Sequence, residues 1–322
     1  MKSKTTLVNN STTSKRRARY TVKMLLCLVL IVAGLSIAAC SSNGDENDVP
    51  NANDATTVHE QGLAIVSIGP AITEVLVDIG MGANLVMVDN FSALVAGVPA
   101  GIPTLDMMAL DVESILMMEA DKIFATDMIL WGGDPLAIVA ESGATVIYVS
   151  TSSTLAEIKD GIAYIADAAG NTAGGAALVA DMAAQMDEIA AIASTITTVR
   201  TVYFEIDAPP SMFSFGEGSF LNEVIELVGA QNIFASYGAW VSVADEQVID
   251  RNPDVILTNV FWIEDPIADI SARSGWDSIT AVASGNIHAI DADASSRDNH
   301  NLMTAMWEIA RAVYPEYFAG GN

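Results

Sequence analysis

Three histidines, His59, His288 and His300, are the only imidazoles in the 322-residue chain, and Cys27 and Cys40 are its only thiols. Acid–base, nucleophilic and transition-metal chemistry lean on these residue types. The body of the chain has no G-x-S-x-G, no P-loop lysine motif, no H-E-x-x-H and no C-x-x-C, the patterns that place a nucleophile, a phosphate cradle or a metal. Gly80-Met81-Gly82 follows a helical stretch rather than a strand, and no third glycine stands at the dinucleotide spacing. Gly216-Glu217-Gly218-Ser219 precedes a helix and could cradle an anion, but Glu217 would repel phosphate, and such loops more often cap the helix. His288 lies in the apolar run Asn286–Ile290 and reads as a packed histidine, and two body histidines do not make a histidine-rich zinc or manganese site. We assign no catalytic residue, no cofactor and no metal site. Stacking chemistry remains. Trp131, Trp240 and the pair Phe261-Trp262 are large aromatic surfaces near expected strand ends or loops, and indole faces suit a large flat ligand. His300 and Tyr237 carry donor atoms that could ligate a metal, though neither spacing is diagnostic.

Charge narrows the ligand further. The first 39 residues hold seven of the 14 Lys and Arg and none of the 40 Asp and Glu, so the remainder sets seven cations against 40 carboxylates, a net charge of −33. Such a body repels nucleic acid. Its cations are Lys122, Lys159, Arg200, Arg251, Arg273, Arg297 and Arg311, and several must sit on helix faces. A ligand with several negative charges needs a cationic cleft and is disfavoured. A hydrophobic content of 51% with 17% charged residues is that of a globular chain.

The N-terminus carries an address. Lys15-Arg16-Arg17-Ala18-Arg19 precedes an apolar run from Met24 to Ala39, about 16 residues, where a spanning helix needs about 20. Basic start, apolar middle and small residues at the end are the layout of a secretory signal. The run ends Leu35-Ser36-Ile37-Ala38-Ala39-Cys40, which looks like a bacterial lipobox with Cys40 as the lipidated residue. Residues 1–39 are then a lipoprotein signal peptide. Residues 40–61, rich in Ser, Asn, Asp and Thr, form a stalk too polar to fold alone. His59 lies in that stalk.

The body alternates expected strands and helices. Leu63–Ile68, Leu85–Val88, Lys122–Ala125 and Thr145–Val149 read as strands, with helices over Thr73–Ile79, where Thr73 is a plausible cap, Leu110–Met118 and Pro135–Ser142. A second unit repeats the theme with strands Thr201–Ile206, Val255–Asn259 and Asn286–Ile290 and helices Phe220–Val228, Glu246–Asn252 and Leu302–Val313. Between them, Ala173–Ser194 has apolar residues at helical spacing. The expectation is α/β: an N-terminal lobe over 62–150, a linking region over 151–196 with a long rigid helix, and a C-terminal lobe over 197–322, each lobe around a mostly parallel sheet.

At this point the chain resembles the substrate-binding proteins of iron-chelate and vitamin B12 ABC importers. The resemblance runs from about Leu63 to Phe318 and rests on ordered phrases: Ile65–Glu74, Gly80-Met81-Gly82, Leu110–Ile115, Gly218–Glu223, Gly229–Ile233 and Tyr314-Pro315-Glu316. It implies a class III periplasmic-binding-protein fold, with ligand held between lobes and handed to a membrane permease driven by an ATPase. The protein is then an extracytoplasmic, membrane-anchored monomer. The resemblance further implies that Glu113 and Glu246, one on each lobe, dock onto permease arginines. Trp131 and Trp240 would line the cleft, and Arg297 matches an arginine of the ligand site. The Pro-Arg that follows in the family is replaced here by His300-Asn301. Cobalamin-like ligands come first, hydroxamate siderophores or haem second, with Trp262 and Tyr237 adding to the wall. A tethered sensor, or a bare-metal transport component, would use the same fold.

Overall fold

The computed structural model describes residues 62–319. The expected signal peptide, Cys40 and the expected stalk lie outside the described residues. The chain after them opens with strand β1 (Ile65–Ile68), every residue of which is buried, as expected where helices cover both faces of a parallel sheet. Helix α1 (Pro70–Leu76) follows. It starts earlier than the sequence suggests, and Thr73 is not its cap. Gly69, at φ 131°, makes the turn, and Pro70 sits in the first helical turn, where its missing N–H is not needed. Thr73 lies one turn in; its Oγ1 is 3.1 Å from Gly69 O and 2.8 Å from both Ser67 Oγ and Ser92 Oγ.

Strands β2 (Leu85–Asp89), β3 (Thr104–Leu105), β4 (Lys122–Thr126) and β5 (Thr145–Val149) join β1 in an all-parallel sheet ordered β3-β2-β1-β4-β5. Short helices α2 (Val112–Leu116) and α3 (Ala137–Glu141) complete this lobe. Each is shorter than the sequence suggests. Asp111 caps α2, accepting from Ser114 N at 3.2 Å, which leaves Leu110 outside the helix.

Two helices link the lobes. Helix α4 (Leu155–Ala169) starts at Thr154, whose side chain accepts from Glu157 N, and stops at Gly170 in the left-handed conformation. Helix α5 (Thr172–Ala193), capped by Asn171, is the long one expected. In the second lobe β6 (Thr201–Glu205), β8 (Gln231–Asn232), β10 (Val255–Thr258) and β11 (Ile287–Ala289) form a parallel sheet ordered β11-β10-β6-β8. Strands β7 (Phe213–Ser214) and β9 (Val241–Ser242) pair antiparallel beside it. Helices α6 (Phe220–Leu227), α7 (Asp245–Arg251), α8 (Pro266–Ser271), α9 (Thr280–Ser284), α10 (Ala292–Ser296) and α11 (Leu302–Val313) complete the chain.

The core explains why the bridge is stiff. One apolar cluster runs from Ile65 and Phe124, through Ile162 on α4 and Met182 and Ile189 on α5, to Phe204 and Ile309. Bending the bridge would open this packed interior, and interiors at close-packed density do not yield in small steps. Among the described residues no helix is long and apolar enough to cross a membrane.

Candidate functional site

Parallel strands carry their carboxyl ends to one side, and ligands in α/β proteins gather there. The residues after those ends form a cleft. Met128 follows β4, Thr151 and Ser152 follow β5, Ile206 follows β6, and Asn259, Phe261 and Trp262 follow β10. They line a cavity of about 530 Å³ together with Gly218 and Ser219 ahead of α6, Trp240, and Ser295, Ser296 and Asp298 around the end of α10. A side recess of about 180 Å³ shares Met128, Thr151, Ser296 and Asp298 and reaches Gly69, Pro70 and Arg297. Both lobes therefore contribute wall, and the main cavity's size suits a small-molecule ligand.

The walls are aromatic and wet. Trp240, Phe261 and Trp262 are 71%, 78% and 54% exposed, and the Phe261 and Trp262 rings meet edge to face, 5.2 Å between centroids. Holding three such side chains in water forgoes about 1.5–3 kcal/mol for each one a ligand could cover.

Polar links tie the lobes below the cleft. Arg297 pairs with Glu74 of α1 and, at 2.8 Å, with Asp293 of α10. Asn299 Nδ2 donates to Glu74 Oε2 at 2.5 Å and to Ala71 O at 3.1 Å. Asp298 Oδ2 accepts from Ser152 N at 2.7 Å, and Glu223 Oε2 accepts from Leu155 N at 2.7 Å. Burial pushes the Asp298 carboxyl above the usual aspartate value, against the opposing pull of the Ser152 N–H.

Of the aromatic residues expected in the cleft, Trp240 and Trp262 line it. Trp131 is 99% exposed, after the turn Asp127–Leu130 and before Gly132 and Gly133, whose φ values are 101° and 136°. It lies outside the cavity lining. Tyr237 is turned elsewhere: its hydroxyl accepts from Arg251 Nη2 at 2.7 Å, and its ring meets Phe234 edge to face. His300 Nε2 lies 2.8 Å from Asp78 Oδ2, a link between lobes, while its Nδ1 is buried without a partner. Arg297 borders the side recess, but its guanidinium faces Glu74 and Asp293. His288 is partly buried on β11, and burial lowers its pKa. Among the described residues no group of three His, Cys, Asp or Glu is placed to hold a metal ion. Glu113 and Glu246 stand exposed in the first turns of α2 and α7. Sequence reasoning missed Asp298, Ser152 and Asn259. Asp298 was within reach, since it adjoins Arg297 in the loop before α11.

Two parallel-sheet lobes, a stiff helical bridge and an aromatic cleft walled by both lobes are the architecture of a class III periplasmic binding protein. A family model described as periplasmic binding protein matches residues 65–294. The chain belongs to that family. It is 25% identical over 308 residues to the uncharacterized ABC transporter substrate-binding lipoprotein YvrC of Bacillus subtilis, spanning 90% of this chain and 96% of the relative. It is 28% identical over 255 residues to the vitamin B12-binding protein of Vibrio cholerae, spanning 76% and 87%. The crystal structure of a possible iron-binding (periplasmic solute-binding) protein from Staphylococcus epidermidis superposes with a TM-score of 0.71 at 26% identity, covering 78% of this chain and 98% of that one.

Proposed function

We propose that the chain is the extracytoplasmic, lipid-anchored component of an ABC importer that captures a metal chelate or corrinoid and passes it to a permease and its ATPase. The cleft carries this reading: Trp240, Phe261 and Trp262 form an aromatic wall, and among the described residues no Lys or Arg lines the main cavity. Such a wall favours a large, flat, near-neutral ligand. A cobalamin-like corrinoid ranks first, in line with the name of the Vibrio relative; hydroxamate siderophores and haem follow. Residues 1–39 are taken as the signal peptide, residues 40–61 as the stalk and Cys40 as the lipidated N-terminus, in line with the lipoprotein name of the Bacillus relative. A diacylglyceryl group plus an amino-terminal acyl chain is enough for stable anchoring. Residues 62–150 and 197–322 are the two lobes, and 151–196 the link.

Titrating the protein's tryptophan fluorescence with cyanocobalamin, a ferric hydroxamate and haemin tests the ligand. Quenching by at least one, with Kd below about 10 μM, or roughly −7 kcal/mol, is expected. Failure of all three removes the ligand assignment.

A further inference from the structure

Among the described residues Asp298 is the only ionisable side chain in the lining of the main cavity. Its neighbours in sequence point away: Arg297 is held by Glu74 and Asp293, and Asn299 by Glu74 and Ala71. Asp298 itself meets no cation. Among the described residues no Lys, Arg or His forms an ion pair with it; its donors are the Ser152 N–H at 2.7 Å, the Ser152 hydroxyl and its own backbone N–H. A carboxylate has about four lone-pair sites, so acceptor capacity remains for an occupant. The nearby charge is Asp127, another carboxylate, itself held by Thr151 N at 3.1 Å and Thr151 Oγ1 at 3.0 Å.

The wall beside it also offers an acceptor. Asn259 lies across from α10, and its Nδ2 donates to Ser295 Oγ at 3.0 Å and Ser296 Oγ at 3.2 Å. With its nitrogen so committed, Asn259 presents its carbonyl oxygen. The Ser295 hydroxyl donates in turn to Asp291 O at 2.6 Å. One side of the cavity is therefore rich in acceptors, carries a negative charge and lacks a cation. A partly desolvated carboxylate without a counter-charge is costly unless an occupant supplies hydrogen-bond donors.

We propose that Asp298, assisted by the Asn259 oxygen, reads N–H donors on the ligand's periphery, so that the cleft favours chelates bearing carboxamide or ammonium groups and rejects those bearing carboxylates there. This deepens the chelate-binding reading and rests on it. Specificity comes as much from repulsion as from attraction: a ligand carboxylate at this point would face a fixed negative charge and a row of acceptors.

Two probe pairs differ at the periphery alone. Cyanocobalamin carries primary carboxamides, and its monocarboxylates have one of them hydrolysed. Ferrioxamine B ends in an ammonium group, and its N-acetyl derivative does not. The full-length chain in detergent is titrated with all four. The wild type should bind the amide and ammonium members about tenfold or more tighter than their partners, the scale of one charge-assisted hydrogen bond. Asp298→Asn should shrink both gaps to about threefold or less, and Asp298→Ser, which keeps an acceptor for Ser152 N, should do the same should the Asn variant fold poorly. Binding with the same gaps in wild type and in a folded variant overturns the inference and leaves the chelate reading standing. Equal affinity within both pairs in the wild type also overturns it. Failure of all four probes to bind overturns the chelate reading, and the inference with it.

Discussion

The guanidinium of Arg297, on the loop between α10 and α11, meets the carboxylate of Glu74, on α1 in the other lobe. Both side chains are largely buried, 13% and 12% exposed, and Asn299 supplies a second donor to the same carboxylate. Arg297, which the resemblance places in a ligand-site loop, is thus used here with Asn299 as a strap between lobes. Removing one partner of a buried pair leaves a charge without its counter-ion. Arg297→Ala should therefore lower unfolding free energy by about 3 kcal/mol, measured by chemical denaturation at neutral pH. Arg297→Met combined with Glu74→Leu should recover most of that loss, because two apolar side chains of similar volume leave nothing uncompensated. A double variant as weak as Arg297→Ala would show that Asn299 and Asp293, rather than the Arg–Glu pair, hold the lobes.

The bridge makes a sharper demand at Gly175. A Cβ built there falls well inside van der Waals contact with Ala166 Cβ on α4 and 3.5 Å from Ile162 O. The α4–α5 crossing is close because this residue has no side chain. Ordinarily Gly→Ala within a helix gains about 1 kcal/mol. Here overpacking, typically about 1–3 kcal/mol, should outweigh that gain. Gly175→Ala should lower Tm, whereas Gly174→Ala, whose Cβ would meet Asn171 Nδ2 at 2.9 Å and Ile79 Cβ at 3.0 Å, contacts less severe than that to Ala166, should lower it less.

Asp298 also sets a pH dependence. Burial raises its folded pKa above the ordinary 3.8, so the folded chain binds this proton at higher pH than the unfolded chain does. The stability it contributes is full below the unfolded value and is lost as pH rises through the folded one. Asp298→Asn keeps an oxygen for Ser152 N and removes the charge. The variant should have a higher Tm than the wild type near pH 7, with the difference shrinking toward zero as pH falls to about 3.5. Differential scanning calorimetry across that range checks it, and a constant difference would show that the carboxyl does not titrate abnormally.

Much of the architecture was legible because periodicity and breakers are local. The closing helix Leu302–Val313 matches its apolar spacing residue for residue, and α5 differs from its expected span by one residue at each end. Helix α4 follows the same rule, with Leu155, Ile158, Ile162 and Ile165 buried at helical spacing, although the sequence reading placed only a linking region there. The start of α1 was misread because Thr73 has a cap's chemistry, while Gly69 and Pro70 make the turn by conformation alone. Site residues were harder. Tyr237 and His300 have suitable chemistry for a ligand, but Arg251 and Asp78, 14 and 222 positions away, claim them. No local pattern reports such pairings. Trp240 and Phe261-Trp262 were legible because each follows a strand or loop that opens on the cleft.

The last prediction concerns docking. Glu113 and Glu246 sit at equivalent places, exposed in the first turn of a short helix on each lobe. Neither is needed to cap its helix. Asp111 accepts from Ser114 N at 3.2 Å in α2, and Gln247 Oε1 accepts from Ala244 N at 3.0 Å in α7. Neither carboxylate has an ion-pair partner among the described residues, so both are free for cations outside the chain. Favourable placement at a helix start is worth about 0.3–1 kcal/mol for each exposed carboxylate, so Glu113→Lys with Glu246→Lys should leave the fold intact. A large functional loss would then come from the partner surface. Ligand affinity should match the wild type, because both positions lie outside the cavity lining, while uptake by cells relying on this protein should fall to background. Each single reversal should give a partial loss, since one lobe would still engage. Normal uptake by the double variant would refute the assignment of these two residues and leave the ligand cleft untouched.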